Sequence, residues 1–84
     1  MAAGSSTRVN QTLEIDARGH HCPVPTLRLQ TALASLAGGA LVRLLADDPM
    51  AAVDVPHFCN EAGHTLVRTE PLACGMAFTV ERRA

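Results

Sequence analysis

Twice between Pro23 and Gly63 the sequence sets a helical stripe of apolar residues behind prolines and stops it with glycine, with strand-like runs before, between and after. In the first stripe Leu29, Ala32, Leu33, Leu36 and Ala37 fall at helical spacing, Pro23 and Pro25 stand only at its start, and Gly38-Gly39 ends it. This predicts an amphipathic helix of about four turns. In the second, Ala51, Ala52, Val55, Phe58, Cys59 and Ala62 share a face, with Asp48 as N-cap, Pro49 at the first helical position and Gly63 as the stop. Pro56 lies inside this stripe and predicts a kink or a start later than Pro49. Leu13 and Ile15 alternate with Glu14 and Asp16 as in a half-buried strand, and Ala40 to Ala46 is a short apolar run bounded by turn residues. His64 to Glu70 and Gly75 to Arg82 read as a closing strand pair. The order is βαβαββ. Two helices cannot cover both faces of four strands, so the expected fold is α+β, a two-layer sandwich with both helices on one face of a mixed sheet. The first two strands, joined through a helix, are expected to be parallel with a right-handed crossover.

The chain has 84 residues, enough for one modest core and no second domain. Residues 1–11 are small and polar without a period and read as a flexible leader, leaving a single domain over residues 12–84. Hydrophobic residues make up 48% of the chain but only Phe58 and Phe78 are aromatic, so the core must be aliphatic and no stacking platform for single-stranded nucleic acid exists. The seven basic residues, all arginine, are scattered and balanced by eight acidic ones. That pattern argues against direct contact with nucleic acid. No stretch resembles a signal peptide, and no uninterrupted apolar run reaches the roughly eighteen residues of a membrane span, which predicts a soluble, cytoplasmic chain. Cys22, Cys59 and Cys74 are odd in number and widely spaced, unlike a disulfide framework.

The chemistry concentrates in Arg18-Gly19-His20-His21-Cys22-Pro23-Val24-Pro25. If Pro23 opens the helix, Cys22 occupies the N-cap, where unpaired amides and the helix dipole favour a thiolate. Pro23 and Pro25 carry no N–H, which leaves the amides of Val24 and Thr26 to face the sulfur. Cysteines so placed can have pKa values lowered from about 8.5 to roughly 3.5–7.5, and the thiolate is the nucleophile. The competing reading is that Pro-x-Pro merely starts a helix and Cys22 is a passive cap.

Taken together, Leu13-Glu14-Ile15-Asp16-Ala17-Arg18-Gly19, Cys22-Pro23-Val24-Pro25, Ala46-Asp47-Asp48-Pro49, Asp54-Val55-Pro56 and Phe58-Cys59 resemble the TusA/SirA-like sulfur carriers over roughly residues 13–82. The resemblance implies the same two-layer fold and a cofactor-independent sulfurtransferase whose Cys22 accepts sulfane sulfur as a persulfide. It implies a cysteine desulfurase or rhodanese-type donor and a downstream acceptor protein, in a pathway leading to tRNA 2-thiouridine, molybdenum cofactor or sulfur oxidation. It also implies that Asp47, Asp48 and Asp54 form an acidic partner-binding loop; capping and turn formation are the alternative for these three. A monomer is the simplest expectation for a carrier that alternates between partners.

His20 and His21 depart from the family pattern, which more often has an aliphatic residue followed by a variable or basic one. An imidazolium there would favour the Cys22 thiolate or guide an anionic persulfide; otherwise the two are ordinary loop residues. Zinc would require His20, His21, Cys22, His57, Cys59 and His64 to gather, and none stands at a familiar zinc spacing, so no metal is expected. Cys59 lies on the buried stripe and reads as core. A non-catalytic regulatory or interaction module is the alternative function, and a thiol-disulfide redox protein is a third, lacking a second cysteine nearby in the chain.

Overall fold

The computed structural model describes residues 12–21 and 23–83, so the leader expected over residues 1–11 and the nucleophile expected at Cys22 lie outside the described residues. Six elements follow in the expected order: β1 (Thr12–Asp16), α1 (Val24–Ala34), β2 (Leu41–Ala46), α2 (Ala51–Ala62), β3 (Thr65–Pro71) and β4 (Met76–Glu81). The sheet runs β1-β2-β4-β3, with β1 parallel to β2 and β4 antiparallel to both its neighbours. The fold is α+β with a mixed four-stranded sheet.

Strand register explains why both helices share one face. Val42, Leu44 and Ala46 project from one side of β2, and their partners Val80, Phe78 and Met76 project from the same side of β4. These join Leu29 and Leu33 of α1 and Ala51, Val55 and Cys59 of α2 in one apolar cluster, with Leu66 of β3 at its margin. The opposite face carries a ladder of ion pairs instead, in which Arg43 meets Glu14 and Glu70, and Arg68 also meets Glu70. Exposed pairs of this kind contribute little stability each, so the domain rests on its apolar layer.

Three helix boundaries differ from expectation. The first helix runs from Val24 to Ala34, three turns instead of four, with Pro23 at the N-cap in place of Cys22. Its C-terminus is closed early: the Ser35 hydroxyl donates to the Ala32 carbonyl at 2.9 Å, and Arg82 Nε donates to the Leu33 carbonyl at 2.7 Å. Leu36, past the helix end, still packs against the core. The second helix begins at Ala51, not Pro49, and runs unbroken through Pro56. Of the two expectations for Pro56, the later start is the one observed. Gly63 then closes α2 in the left-handed region (φ +81°), with the His64 amide reaching back to the Cys59 carbonyl at 2.9 Å.

Both helix C-termini, the end of β4 and His64 meet at one end of the molecule. His64 Nδ1 accepts the Arg83 amide at 3.0 Å, and its ring lies 5.7 Å from that of Phe58. Burial first, then the charges of Arg82 and Arg83, push its pKa below the ordinary 6.5. The unfolded chain therefore binds the proton more readily than the folded one, and the contribution of His64, full above the unfolded pKa, is lost as pH falls below it. Urea unfolding at about pH 7.5 and about pH 5.5 should show wild type losing more stability on acidification than His64→Gln. Equal losses in the two proteins would remove His64 as the source.

Candidate functional site

Because β1 and β2 are parallel, the loop leaving each strand, and the helix start that follows it, lie at the same end of the sheet. The β3–β4 turn closes on that end as well, since Ala46 pairs with Met76. Gly75 makes the approach close: a side-chain carbon there would stand 2.4 Å from the Ala46 carbonyl oxygen, and its φ of +95° suits glycine alone. The residues expected to carry chemistry thus share an end with the acidic loop and with Cys74.

The loop after β1 is built from its own residues outward. Ala17, fully buried, donates its amide to the Leu45 carbonyl at 2.8 Å and continues the pairing one residue beyond the strand. Arg18 folds back on Asp16 through Nε (2.9 Å) and a terminal guanidinium nitrogen (2.8 Å). Hydrogen bonds from the Arg18 side chain and backbone lower the Asp16 pKa to about 2. Arg18 is therefore committed to the strand end. Gly19 turns with φ +89° and gives its amide to both carboxylate oxygens of Asp47 at 3.0 Å. His20 is exposed, with its amide 3.3 Å from the Ala17 carbonyl. His21 Nδ1 lies 3.3 Å from Asp48 Oδ2.

On the other side of Cys22, Pro23 accepts the first helical bond from the Leu27 amide at 2.9 Å, and the Pro25 ring is buried. The Val24 amide, expected to face the sulfur, is instead bonded to the His21 carbonyl at 3.0 Å. This turn is what shifts the helix cap from residue 22 to residue 23. Of the three aspartates, Asp47 and Asp48 hold the β1–α1 loop, whereas Asp54 stands in the first turn of α2, where a carboxylate complements the helix dipole.

Sequence reasoning missed two features. Arg28 on α1 donates to the Asp16 carbonyl at 3.2 Å, tying helix to strand end, and no local pattern announces that contact. Val24, Leu27, Met50 and Val53, all apolar, are exposed around the two helix starts. Val24 and Leu27 join Ile15 in lining a shallow groove of about 430 Å³ between α1 and β1. Leu27 and Val53 stand off the buried stripes, which is the signal that could have found them.

Cys59 is buried, and burial pushes its thiol pKa up, as suits a packing role. Cys74 is exposed in the β3–β4 turn. Among the described residues no three His, Cys, Asp or Glu side chains gather to hold a metal ion. Nor, among them, is any helix long and apolar enough to cross a membrane.

Comparison with known proteins gives this end of the molecule its context. The family model described as sulfurtransferase TusA matches residues 13–82. The sulfur carrier protein TusA of Pseudomonas putida strain W619 is 36% identical over 70 residues, covering 83% of this chain and 88% of the relative. Its counterpart in Pseudomonas aeruginosa PAO1 is 34% identical over 70 residues, covering 83% and 89%. Among solved structures, a SirA-like protein from Desulfitobacterium hafniense superposes with a TM-score of 0.76 at 26% identity, covering 86% of this chain and 99% of that one. With the family model spanning nearly the whole described chain, the protein belongs to the TusA sulfurtransferase family.

Proposed function

We propose that this chain is a cytoplasmic sulfur carrier that holds sulfur as a persulfide on Cys22. The single observation that carries the reading is the family match over residues 13–82, which includes Cys22-Pro23-Val24-Pro25 at the entrance to α1. The geometry around it supports the same reading. Residue 22 sits in the chain between His21, tethered to the acidic loop, and Pro23, the cap of α1. A sulfur anion near the start of a helix is favoured by the dipole. Exposed apolar side chains at both helix starts offer a protein partner something to bury.

In the transfer step, the Cys22 thiolate attacks the outer sulfur of a donor's persulfide. A new S–S bond forms on Cys22, the donor's S–S bond breaks, and the donor leaves as a thiolate. The exchange is isoelectronic and needs no oxidant. Delivery repeats it in reverse, with an acceptor cysteine as nucleophile. A cysteine desulfurase or a rhodanese-type protein would supply the sulfur, and no metal or organic cofactor enters the step.

Intact-protein mass spectrometry tests this directly. After incubation with a cysteine desulfurase and cysteine, or with a rhodanese and thiosulfate, the wild-type chain should gain about 32 Da, the mass of one sulfur, reversed by reductant. Peptide mapping should place the added sulfur on Cys22. No gain from either donor, or a gain confined to Cys74, would sink the proposal.

A further inference from the structure

We propose that the pole where the two helices end carries a binding site for a small organic oxyanion, a carboxylate or phosphate ester whose charge meets Arg82 and Arg83 and whose apolar body lies against Phe58. A cavity of about 360 Å³ opens there, and its lining includes Phe58, Glu61, His64, Arg82 and Arg83. It lies where the C-termini of α1 and α2 meet the chain leaving β4, at the end of the sheet where Thr65 pairs with Glu81. Asp47 and Gly19 are at the opposite end. Carbonyl groups at helix C-termini attract cations, so one cation here has a structural task. Arg82 performs it: half-buried, it donates Nε to the Leu33 carbonyl at 2.7 Å and a terminal nitrogen to the Arg83 carbonyl at 3.1 Å. The Ser35 hydroxyl and the His64 amide answer two further carbonyls, those of Ala32 and Cys59.

Arg83 is the cation left over. Among the described residues its guanidinium has no hydrogen-bond or ion-pair partner. Its stem nevertheless folds across the end of α2, with Cδ 3.3 Å from where a side-chain carbon on Gly63 would stand. Arg82 also keeps N–H groups in reserve, since a guanidinium has five donors and only two contacts use them. His64 supplies another donor: its Nδ1 accepts the Arg83 amide at 3.0 Å, which in the neutral ring puts the proton on Nε2. After burial, the charges of Arg82 and Arg83 are what lower the His64 pKa, so both cations act on this ring. Against them stands one carboxylate in the lining, the exposed Glu61. Planar guanidinium forks match the paired oxygens of a carboxylate or phosphate. A cavity of this volume is larger than a bare ion requires and belongs with small-molecule sites, which start at about 300 Å³. The ring of Phe58, 5.7 Å from that of His64 and only partly buried, gives an apolar body its contact.

NMR titration of the full chain at about pH 7.5, where His64 is neutral, separates charge from body with four probes: phenyl phosphate, benzoate, inorganic phosphate and neutral phenol. The tighter of phenyl phosphate and benzoate names the head group and should bind with a Kd of about 1 mM, in keeping with its few atoms. It should move the amide signals of Gly63, His64 and Arg83 and leave that of Gly19, at the other pole, in place. Inorganic phosphate lacks the body and phenol lacks the charge, so each should bind at least about fivefold more weakly. Arg83→Gln should weaken the tighter probe about five- to tenfold, the worth of one charge-assisted hydrogen bond, and Arg83→Lys should weaken it less. Glu61→Gln should tighten it about twofold. Arg83 is exposed and every variant keeps its backbone amide, so the fold should persist; should a variant nonetheless melt early, the four probes on wild type carry the test. A Kd above about 10 mM for both organic anions would overturn the proposal. So would phenol or inorganic phosphate binding as tightly as they do, an affinity that a folded Arg83→Gln leaves unchanged, or signal changes centred on Gly19. Binding is read with no sulfur donor present, so its failure leaves the carrier reading untouched.

Discussion

Phe78→Ala should leave most of the protein unfolded or poorly folded at 37 °C. Phe78 is 1% exposed and the largest of the fully buried side chains, set in the central strand β4 opposite Leu44 of β2. Truncating a buried phenylalanine costs about 3–5 kcal/mol through lost transfer energy and the cavity left behind. A domain of this size commands only about 4–12 kcal/mol in total. The neighbours cannot compensate, because Leu29, Leu33, Val42, Val55 and Val80 are themselves fully buried and none is large enough to fill the space. Phe78→Leu keeps much of the volume and should cost about 1–1.5 kcal/mol. Urea titrations of the two variants check the pair. A Phe78→Ala midpoint close to wild type would mean that the single apolar layer is not what holds this sheet to its helices.

Cys22→Ala should abolish function in cells while leaving the fold intact. If the chain carries sulfur, the residue is the chemistry itself, so no other side chain can substitute and delivered sulfur should drop to the level of a strain lacking the gene product. Cys59 cannot stand in, because it is buried and its thiol is held protonated. Cys74 is exposed, but it sits on the β3–β4 turn and not at a helix start. The check is complementation of a deletion strain with wild type and Cys22→Ala, with the variant's melting curve alongside. Full rescue by a folded Cys22→Ala protein would turn the chain into a regulatory or interaction module.

The element order was legible because each period is bounded by residues that break it: prolines before both helices, glycines at residues 38–39 and 63, and Asp47-Asp48-Pro49 after the second strand. The helix ends were less so, for reasons that are not local. The first helix stops at Ala34 partly because Arg82, 49 positions away, takes the Leu33 carbonyl. Its cap falls on Pro23 because the Val24 amide closes a turn on His21. In the alternation along Gly75 to Arg82, Met76, Phe78 and Val80 take one face and Ala77, Thr79 and Glu81 the other, yet Ala77 is fully buried and Thr79 is 3% exposed, because β4 lies between β2 and β3 and larger neighbours flank it. Position in the sheet, which no period encodes, decided that. At the candidate site, the segment from Arg18 to Pro25 stood out by composition. The pairing of Gly19 with Asp47 and of His21 with Asp48 spans 28 and 27 residues and becomes visible only once β1 and β2 lie side by side.

The sheet register also fixes where this domain can be attached to something else. Thr12, Leu41 and Glu81 lie in one row across β1, β2 and β4, while Asp16, Leu45 and Ala77 form another about 13 Å further along at strand spacing. The described chain enters in the first row and leaves just beyond it, whereas the chain leaving β1 after Asp16 and the β2–α2 loop lie past the second. A surface tether, a fluorescent label or a fused protein joined at Thr12 or Arg83 therefore departs from the pole opposite those loops. The domain can be immobilised or linked in tandem at those residues with the pole that carries Asp47 and Asp48 still open to a visiting protein.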